Sequence, residues 1–335
     1  MKILIAPLNW GLGHASRCIP IIRHYLAQRD EVVLAGDGDS LLLLRKTFPE
    51  LRAIDLPSLE LCYTSNSQQK GFYIRAIWKL IRSTIADHHY LKKVLAIESF
   101  DLIISDNRFG CCSRNVRSVY ITHQLYPILP QRLQLFQPLA RAVHACIYKR
   151  YAEVWVPDYA DTSHNLSGSL SHGGRFDHRA KYIGPLSRFV TLHSTLHGAT
   201  LHNTPYTTLI LLSGLEPQRT IFERELIQRF VNSQERILLV RGKVSDPQTV
   251  IQRGNITIIP SITDDKLYTI SQIVKTIIAR SGYSTIMDLD ALGVLHKAEF
   301  HPTPGQSEQE YLYVHHLLEP KTPSFYSHSK KQLKN

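Results

Sequence analysis

Two hydrophobic periodicities alternate along the chain. Short runs of consecutive apolar residues mark buried strands, and apolar residues recurring every three or four positions mark helices. Lys2 to Ala6 reads as the first strand, broken by Gly11 and Gly13. From His14 to Gln28, Cys18, Ile21, Ile22, Tyr25 and Leu26 recur at helical spacing. Glu31 to Ala35 is a second strand. "DSLLLLRKTFPE" is a helix with Asp39 or Ser40 as its N-cap and Pro49 near its end. Further strands are expected at Asp101–Asp106, Ser118–His123 and Glu153–Asp158. The stretch "FYIRAIWKLIRSTIADHHYLKKVL" is a long helix whose apolar stripe, Phe72, Ala76, Ile77, Leu80, Ile81, Thr84 and Ile85, should face the core.

The pattern lapses over residues 187–205, which are rich in Ser, Thr, His, Gly and Pro and read as a linker. A second alternating series follows. Strands are expected in Tyr206–Gly214, "RILLVRG", "NITIIP", Lys275–Arg280 and "KAEFH". Helices should fill Gln218–Val231, Asp264–Ser271, Ser284–Leu292 and Ser307–Leu318. Strands alternating with helices imply mostly parallel sheets. The chain therefore divides into an N-terminal α/β domain (1–186), a linker (187–205) and a C-terminal α/β domain (206–335). Two Rossmann-like domains would face an interdomain cleft, since open α/β sheets bind ligands beyond the carboxyl ends of their strands.

The length of 335 residues fits two cores. A composition of 43% hydrophobic and 20% charged residues is ordinary for a globular protein. No run of about 18 apolar residues exists to span a bilayer. The short apolar N-terminus lacks a small-residue cleavage site and reads as a strand, not a signal peptide. These features point to a cytoplasmic protein. The net charge of +11 favours anionic partners such as nucleotides, phosphates or an anionic membrane. The basic residues are dispersed without RNA-recognition stripes, which argues against nucleic acid. Five cysteines fit no zinc pattern and read as reduced thiols. The pairs His88-His89 and His315-His316 have poor geometry for one metal and read as surface.

Chemistry concentrates at three strand ends. In "PLNWGLGHASRC" a strand and glycines lead into a helix N-terminus, whose free N–H groups favour anions. The dinucleotide and Walker fingerprints both fail there, because Ser16 replaces the third glycine and no Gly-Lys-Ser/Thr follows. His14 instead sits in the first turn beside Gly13. The second strand end carries Ser213, Gly214 and Arg219, suited to a diphosphate. The third carries Arg280, Ser281 and Gly282, with Asp288 four residues past Ser284 on the same helical face. Gln306, Gln309 and Glu310 open the last helix, with amides and carboxylates suited to sugar hydroxyls.

Together these pieces resemble the MurG-like glycosyltransferases of family 28, and most closely a bacterial branch with a "GLGHATR"-like start and a "PTPGQTEQEYL"-like end. The resemblance covers roughly residues 2 to 330. It implies the GT-B fold, with a sugar-nucleotide donor bound mainly by the C-terminal domain. It places His14 near the acceptor and donor sugar, and Ser213, Gly214, Arg280, Ser281 and Gly282 around the nucleotide and its phosphates, where Gly13 and Arg219 are further phosphate-binding candidates. Asp288 falls where the family has a ribose-binding glutamate. Gln309 and Glu310 fall on a pair that holds the donor sugar, and His123 and Gln124 on a strand end lining the acceptor side. Two features depart from the family. Glu299 and His301 put polar residues in a strand expected to be buried on both faces. The C-terminal "SFYSHSKKQLKN" leaves little room for a helix returning to the first domain.

The activity so implied is transfer of a hexosyl group from a UDP-sugar to an acceptor hydroxyl, with inversion. His14 would serve as base or as a donor to the diphosphate. No cofactor and no metal are expected, since no Asp-x-Asp motif is present. The acceptor side, with its basic helix, could meet a lipid-linked cell-envelope substrate at the inner face of the plasma membrane. Two other readings share this architecture. One is a UDP-sugar 2-epimerase, kept open by Asp106 and Asp158 at strand ends. The other is a nucleotide-sugar-binding protein without catalysis.

Overall fold

The computed structural model describes residues 1–57, 72–174, 179–190, 204–243 and 246–318, with backbone alone for 72–77. They form two compact units that divide between Leu186 and Ser187.

The first unit is built on a seven-stranded sheet. Its strands are β1 (Lys2–Pro7), β2 (Glu31–Gly36), β3 (Ala53–Asp55), β4 (Leu102–Asp106), β5 (Arg117–Ile121), β6 (Glu153–Val156) and β7 (Ala180–Tyr182). Their order is β3-β2-β1-β4-β5-β6-β7, with every pairing parallel. Alternate side chains of β1 enter opposite cores, as a sheet covered on both faces requires. Ile3 and Ile5 pack with Cys18 and Ile22 of α1 (Gly13–Ala27) and Leu41 and Leu44 of α2 (Gly38–Thr47). Leu4 and Ala6 pack with Leu91 of α3 (Phe72–Ile97) on the other face. A fourth helix, α4 (Gln137–Tyr148), precedes β6.

Two expectations change here. The N-cap of α2 is Asp37, not Asp39 or Ser40, and it forms no side-chain cap because its carboxylate binds Arg108 at 2.6 Å. The core-facing stripe of α3 also matches the expected one only in part, at the half-buried Leu80 and Thr84. Ile81 and Ile85 are exposed, together with Trp78, while Asp87 and Leu91 are buried. Asp87 faces inward because its two oxygens bind the buried Arg108, each at 2.9 Å. Phe72, Ala76 and Ile77 lie outside the described side chains.

The second unit holds β8 (Thr208–Leu211), α5 (Gln218–Phe230), β9 (Ile237–Val240), β10 (Ile251–Arg253), β11 (Ile256–Ile259), α6 (Asp264–Ile273), β12 (Thr276–Arg280), α7 (Tyr283–Ala291), β13 (Ala298–His301) and α8 (Ser307–Leu318). The sheet order is β10-β11-β9-β8-β12-β13, and only the short β10 runs antiparallel. Phe222, Leu226 and Phe230 of α5 cover one face, and Leu267, Tyr268 and Leu289 belong to the core on the other. Phe189, from the start of the expected linker, is fully buried in that second core. Residues 191–203 of that segment lie outside the described residues.

β13 is an edge strand, which resolves its polar residues: Glu299 and His301 are half exposed and bonded to each other at 2.9 Å. Arg229 of α5 also binds Glu299. The C-terminal stretch "SFYSHSKKQLKN" lies outside the described residues. No helix among the described residues is long and apolar enough to cross a membrane.

Candidate functional site

The order of the first sheet reverses between β1 and β4, the place where open α/β sheets take ligands. Pro7 at the end of β1 lies opposite Asp106 at the end of β4. Beyond β1 the chain turns at Gly11, whose φ of 73° lies in the left-handed region that favours glycine. Helix α1 then begins at Gly13, with no side-chain cap. Its second residue, His14, brings Nδ1 to 2.9 Å from Asp106 Oδ1.

One turn further, Arg17 grips the same carboxylate with both arms of its fork. Its Nε donates to Oδ2 and its Nη2 to Oδ1. Nη2 also lies 2.8 Å from His14 Nδ1, and Nη1 lies 3.0 Å from Nδ1 of His123, just past β5. Gln124 is beside it, with its amide nitrogen 3.4 Å from His123 Nε2. Arg17 is 1% and Asp106 0% exposed, whereas His14 keeps 14% of its side chain at the surface.

Burial opposes ionisation of Asp106, but Arg17 and His14 outweigh it and bring its carboxyl down to about 2. Burial, and next the Arg17 cation, lower the pKa of His14, with Asp106 acting against them. Burial likewise raises the thiol of Cys18, which points at the same carboxylate. At neutral pH the cluster is thus an ion pair capped by a neutral imidazole. Such an imidazole can accept a proton from a hydroxyl brought to its exposed edge.

Of this cluster, sequence reasoning singled out His14, His123 and Gln124, and the structure brings all three to one place. It assigned Arg17 no role and gave Asp106 only a place in the epimerase reading. A signal for Arg17 was present. It lies three residues after His14 and four before Ile21, on the helix face that carries the apolar residues, where a cation needs a buried partner.

In the second unit the order reverses between β8 and β12. Ser213 and Gly214 follow β8, and Gly214 has a φ of 90°. A Cβ there would meet nothing within 4 Å, so backbone conformation and not space calls for glycine. Ser281 and Gly282 follow β12, and Gly282 is the N-cap of α7. Ser281 is fully buried and donates its hydroxyl to the Gln309 carbonyl at 2.8 Å.

Both arginines already have partners within the second unit. Arg219 directs Nε and Nη2 at Glu216, at 3.1 and 3.0 Å. Arg280 donates to the Pro302 carbonyl at 2.7 Å and stacks over the Phe222 ring at 3.8 Å; burial lowers its pKa to about 10.

Asp288 accepts the Ser187 hydroxyl at 2.6 Å. Burial raises its carboxyl to about 6 against the pull of Arg188 and Ser187. Gln309 accepts the Thr303 amide at 2.9 Å and donates to Gln306 at 2.6 Å. Glu310 is exposed and accepts the Gly305 amide at 3.1 Å.

Asp158 is committed to its own loop, binding the amides of Tyr159, Leu166 and Ser167 at 2.7 to 2.9 Å. Among the histidine pairs, His89 is exposed, whereas His88, His315 and His316 are half-buried and not on the open surface. Among the described residues, no three His, Cys, Asp or Glu side chains gather as they would around a metal ion.

Among solved structures, the glycotransferase of kitacinnamycin is similar over 94% of this chain and 84% of its own, with a TM-score of 0.57 and 13% identity. CalG4, the calicheamicin glycosyltransferase, gives 0.57 and 13% over 92% and 83%. The fold is GT-B.

In sequence, an uncharacterized glycosyltransferase of Methanosarcina acetivorans is 23% identical over 325 residues, spanning 92% of this chain and 82% of the relative. A protein of the same description from Methanosarcina mazei is 23% identical over 324 residues, with the same coverage. Both relatives are archaeal. No protein-family model matches the chain.

Proposed function

We propose that this protein is a glycosyltransferase that moves a hexosyl group from a UDP-sugar to an acceptor hydroxyl. The observation that carries this reading is the His14–Asp106 contact at the switch point of the first sheet. The GT-B fold and the glycosyltransferase relatives agree with it. One structure of the same fold, Phytolacca americana UGT2, is described as complexed with UDP-2fluoro-glucose and pterostilbene; its TM-score is 0.57, at 12% identity over 93% of this chain and 82% of its own.

In this reading His14 Nε2 takes the proton of the acceptor hydroxyl as that oxygen attacks the anomeric carbon. The bond from that carbon to the diphosphate breaks on the opposite side, giving inversion. Asp106 holds the Nδ1 proton and stabilises the imidazolium that forms. Gly13 and the first-turn amides of α1 offer N–H groups to negative charge. His123 and Gln124 contact the acceptor.

The second unit supplies the donor site. Main-chain amides at Ser213, Gly214, Ser281 and Gly282 and the α7 N-terminus carry the diphosphate charge, with no metal needed. Arg219 reaches phosphate only by leaving Glu216. Arg280 acts from beneath, through its charge. Asp288 holds the ribose, and Gln309 and Glu310 the sugar, as in MurG-like enzymes.

The acceptor we favour is lipid-linked, of the cell-envelope kind, met at an anionic membrane surface. Trp78, Ile81 and Ile85 of α3, beside Lys79 and Arg82, are exposed, as are Leu139 and Val143 of α4 and the preceding Leu135 and Phe136. Apolar side chains beside cations suit an anionic interface. Release of UDP from UDP-sugars, with and without lipid-linked acceptors, tests the reading. A changed sugar formed with no acceptor would favour epimerisation instead.

A further inference from the structure

The contact between Arg17 and His123 does something the proposed chemistry does not ask for. A guanidinium only donates hydrogen bonds, so a ring nitrogen 3.0 Å from Nη1 must accept. Nδ1 of His123 is therefore bare, and in the neutral ring the proton sits on Nε2. The same guanidinium meets a second imidazole. Nδ1 of His14 has two neighbours at nearly equal range, Asp106 Oδ1 at 2.9 Å and Arg17 Nη2 at 2.8 Å.

Only one of these can share a proton with that nitrogen in the neutral ring. A bare Nδ1 would set its lone pair against an ionised oxygen with no proton between them. A protonated Nδ1 gives Oδ1 its second hydrogen bond, beside the one from Arg17, and a carboxylate oxygen can accept both. Charge-assisted bonding to Asp106 therefore prevails, and the close approach of Nη2, which donates to the same Oδ1, is then a contact between neighbours and not a hydrogen bond to Nδ1.

We infer that Arg17 is a positioning residue that sets the ring protons of two histidines in opposite senses. His14 carries its proton on Nδ1 and leaves Nε2 bare to accept one, while His123 carries its proton on Nε2 and donates it. The inference rests on the reading of His14 as the base and adds a second, complementary group to it. A half-turn of the Gln124 amide, whose outer atom lies 3.4 Å from His123 Nε2, lets its oxygen take the His123 proton. The charged and titratable groups facing His14 are Arg17 of α1, Asp106 of β4 and His123 past β5. The fork geometry is what allows one side chain to serve all three, and lysine cannot reproduce it.

Long-range proton–nitrogen NMR of the full chain, labelled at histidine and free of ligand, reads the tautomers directly. His14→Gln and His123→Gln assign the two rings by loss of signal. The expected result is a bare Nε2 on His14 and a bare Nδ1 on His123. In Arg17→Gln the pKa of His14 should rise, because the Arg17 cation no longer adds to burial in opposing Asp106. In Arg17→Lys the His123 ring should relax to a mixture of tautomers.

A proton on Nδ1 of His123, or on Nε2 of neutral His14, in the wild-type protein would overturn the inference even if no variant folds. These readouts need no turnover. Tautomers as assigned with no sugar transfer would uphold the proton arrangement and sink the transferase reading. Reversed tautomers with transfer intact would sink this inference alone.

Discussion

His14 Nδ1 and Asp106 Oδ1 are 2.9 Å apart although 92 residues separate them in sequence. They meet because β1 and β4 are neighbours, so the turn after one strand delivers the imidazole to the end of the other. The pair has different parts to play. In the proposed mechanism His14 is the group that reacts, and Asp106 orients it. His14→Gln should lower transfer by about 10²- to 10⁴-fold with nucleotide affinity unchanged, as expected for loss of a general base. Asp106→Asn should lower the turnover rate as well, and it should also destabilise the fold. Steady-state kinetics beside a UDP titration separates the two effects.

The stability of the cluster has a defined pH dependence. Asp106 titrates at about 2 in the fold, below its ordinary 3.8. A depressed carboxyl contributes stability above its unfolded pKa and loses it as pH falls through the folded one. Its contribution, about 2 kcal/mol, should therefore vanish between roughly pH 4 and pH 2. Urea unfolding across that range measures it.

Arg17→Met should cost more than acidification. It leaves the Asp106 charge buried without its partner, a loss of about 3 to 5 kcal/mol. Pairing it with Asp106→Leu should recover much of the stability, since both charges then go. Denaturant midpoints of the two single variants and the double variant test this.

Asp288 behaves in the opposite sense. Its carboxyl is raised to about 6, so the folded chain holds that proton more tightly than the unfolded one, and the carboxyl's stability contribution falls as pH rises from 3.8 towards 6. If the ionised form binds the ribose, UDP affinity should climb about tenfold between pH 5 and pH 7. Asp288→Asn should flatten that profile. A calorimetric titration at several pH values shows either the slope or its absence.

Association with membranes should be electrostatic at its onset. Vesicles containing anionic phospholipid should bind the protein, and added salt should weaken that binding. Lys79→Gln with Arg82→Gln should remove about 2 kcal/mol of it. Equal binding to neutral and anionic vesicles in a sedimentation assay would count against a charge-led interface.

Hydrophobic periodicity made most of both sheets and the helices between them legible in the sequence. It missed the short strands β3, β7 and β10 and the helix α4. Its larger failures share one cause. Apolar patterning has no term for a buried charge, so it took Ile81 and Ile85 as the core face of α3, when Asp87 turns inward to reach Arg108. Arg17 was lost in the same way, under an apolar stripe. His14 was legible because a glycine turn before a helix is a recognisable setting. Its partner was not, because sequence order does not reveal that β4 lies beside β1.

The proposed role of His14 in sugar transfer from a UDP-sugar can be tested directly. The most direct test follows UDP release from a panel of UDP-sugars by the wild-type protein and His14→Gln in parallel, with UDP affinity measured for both. The expected result is release by the wild type, equal UDP affinity in the variant, and release by the variant at least about 100-fold slower. Equal release by both proteins, or no UDP binding by the wild type, would contradict it.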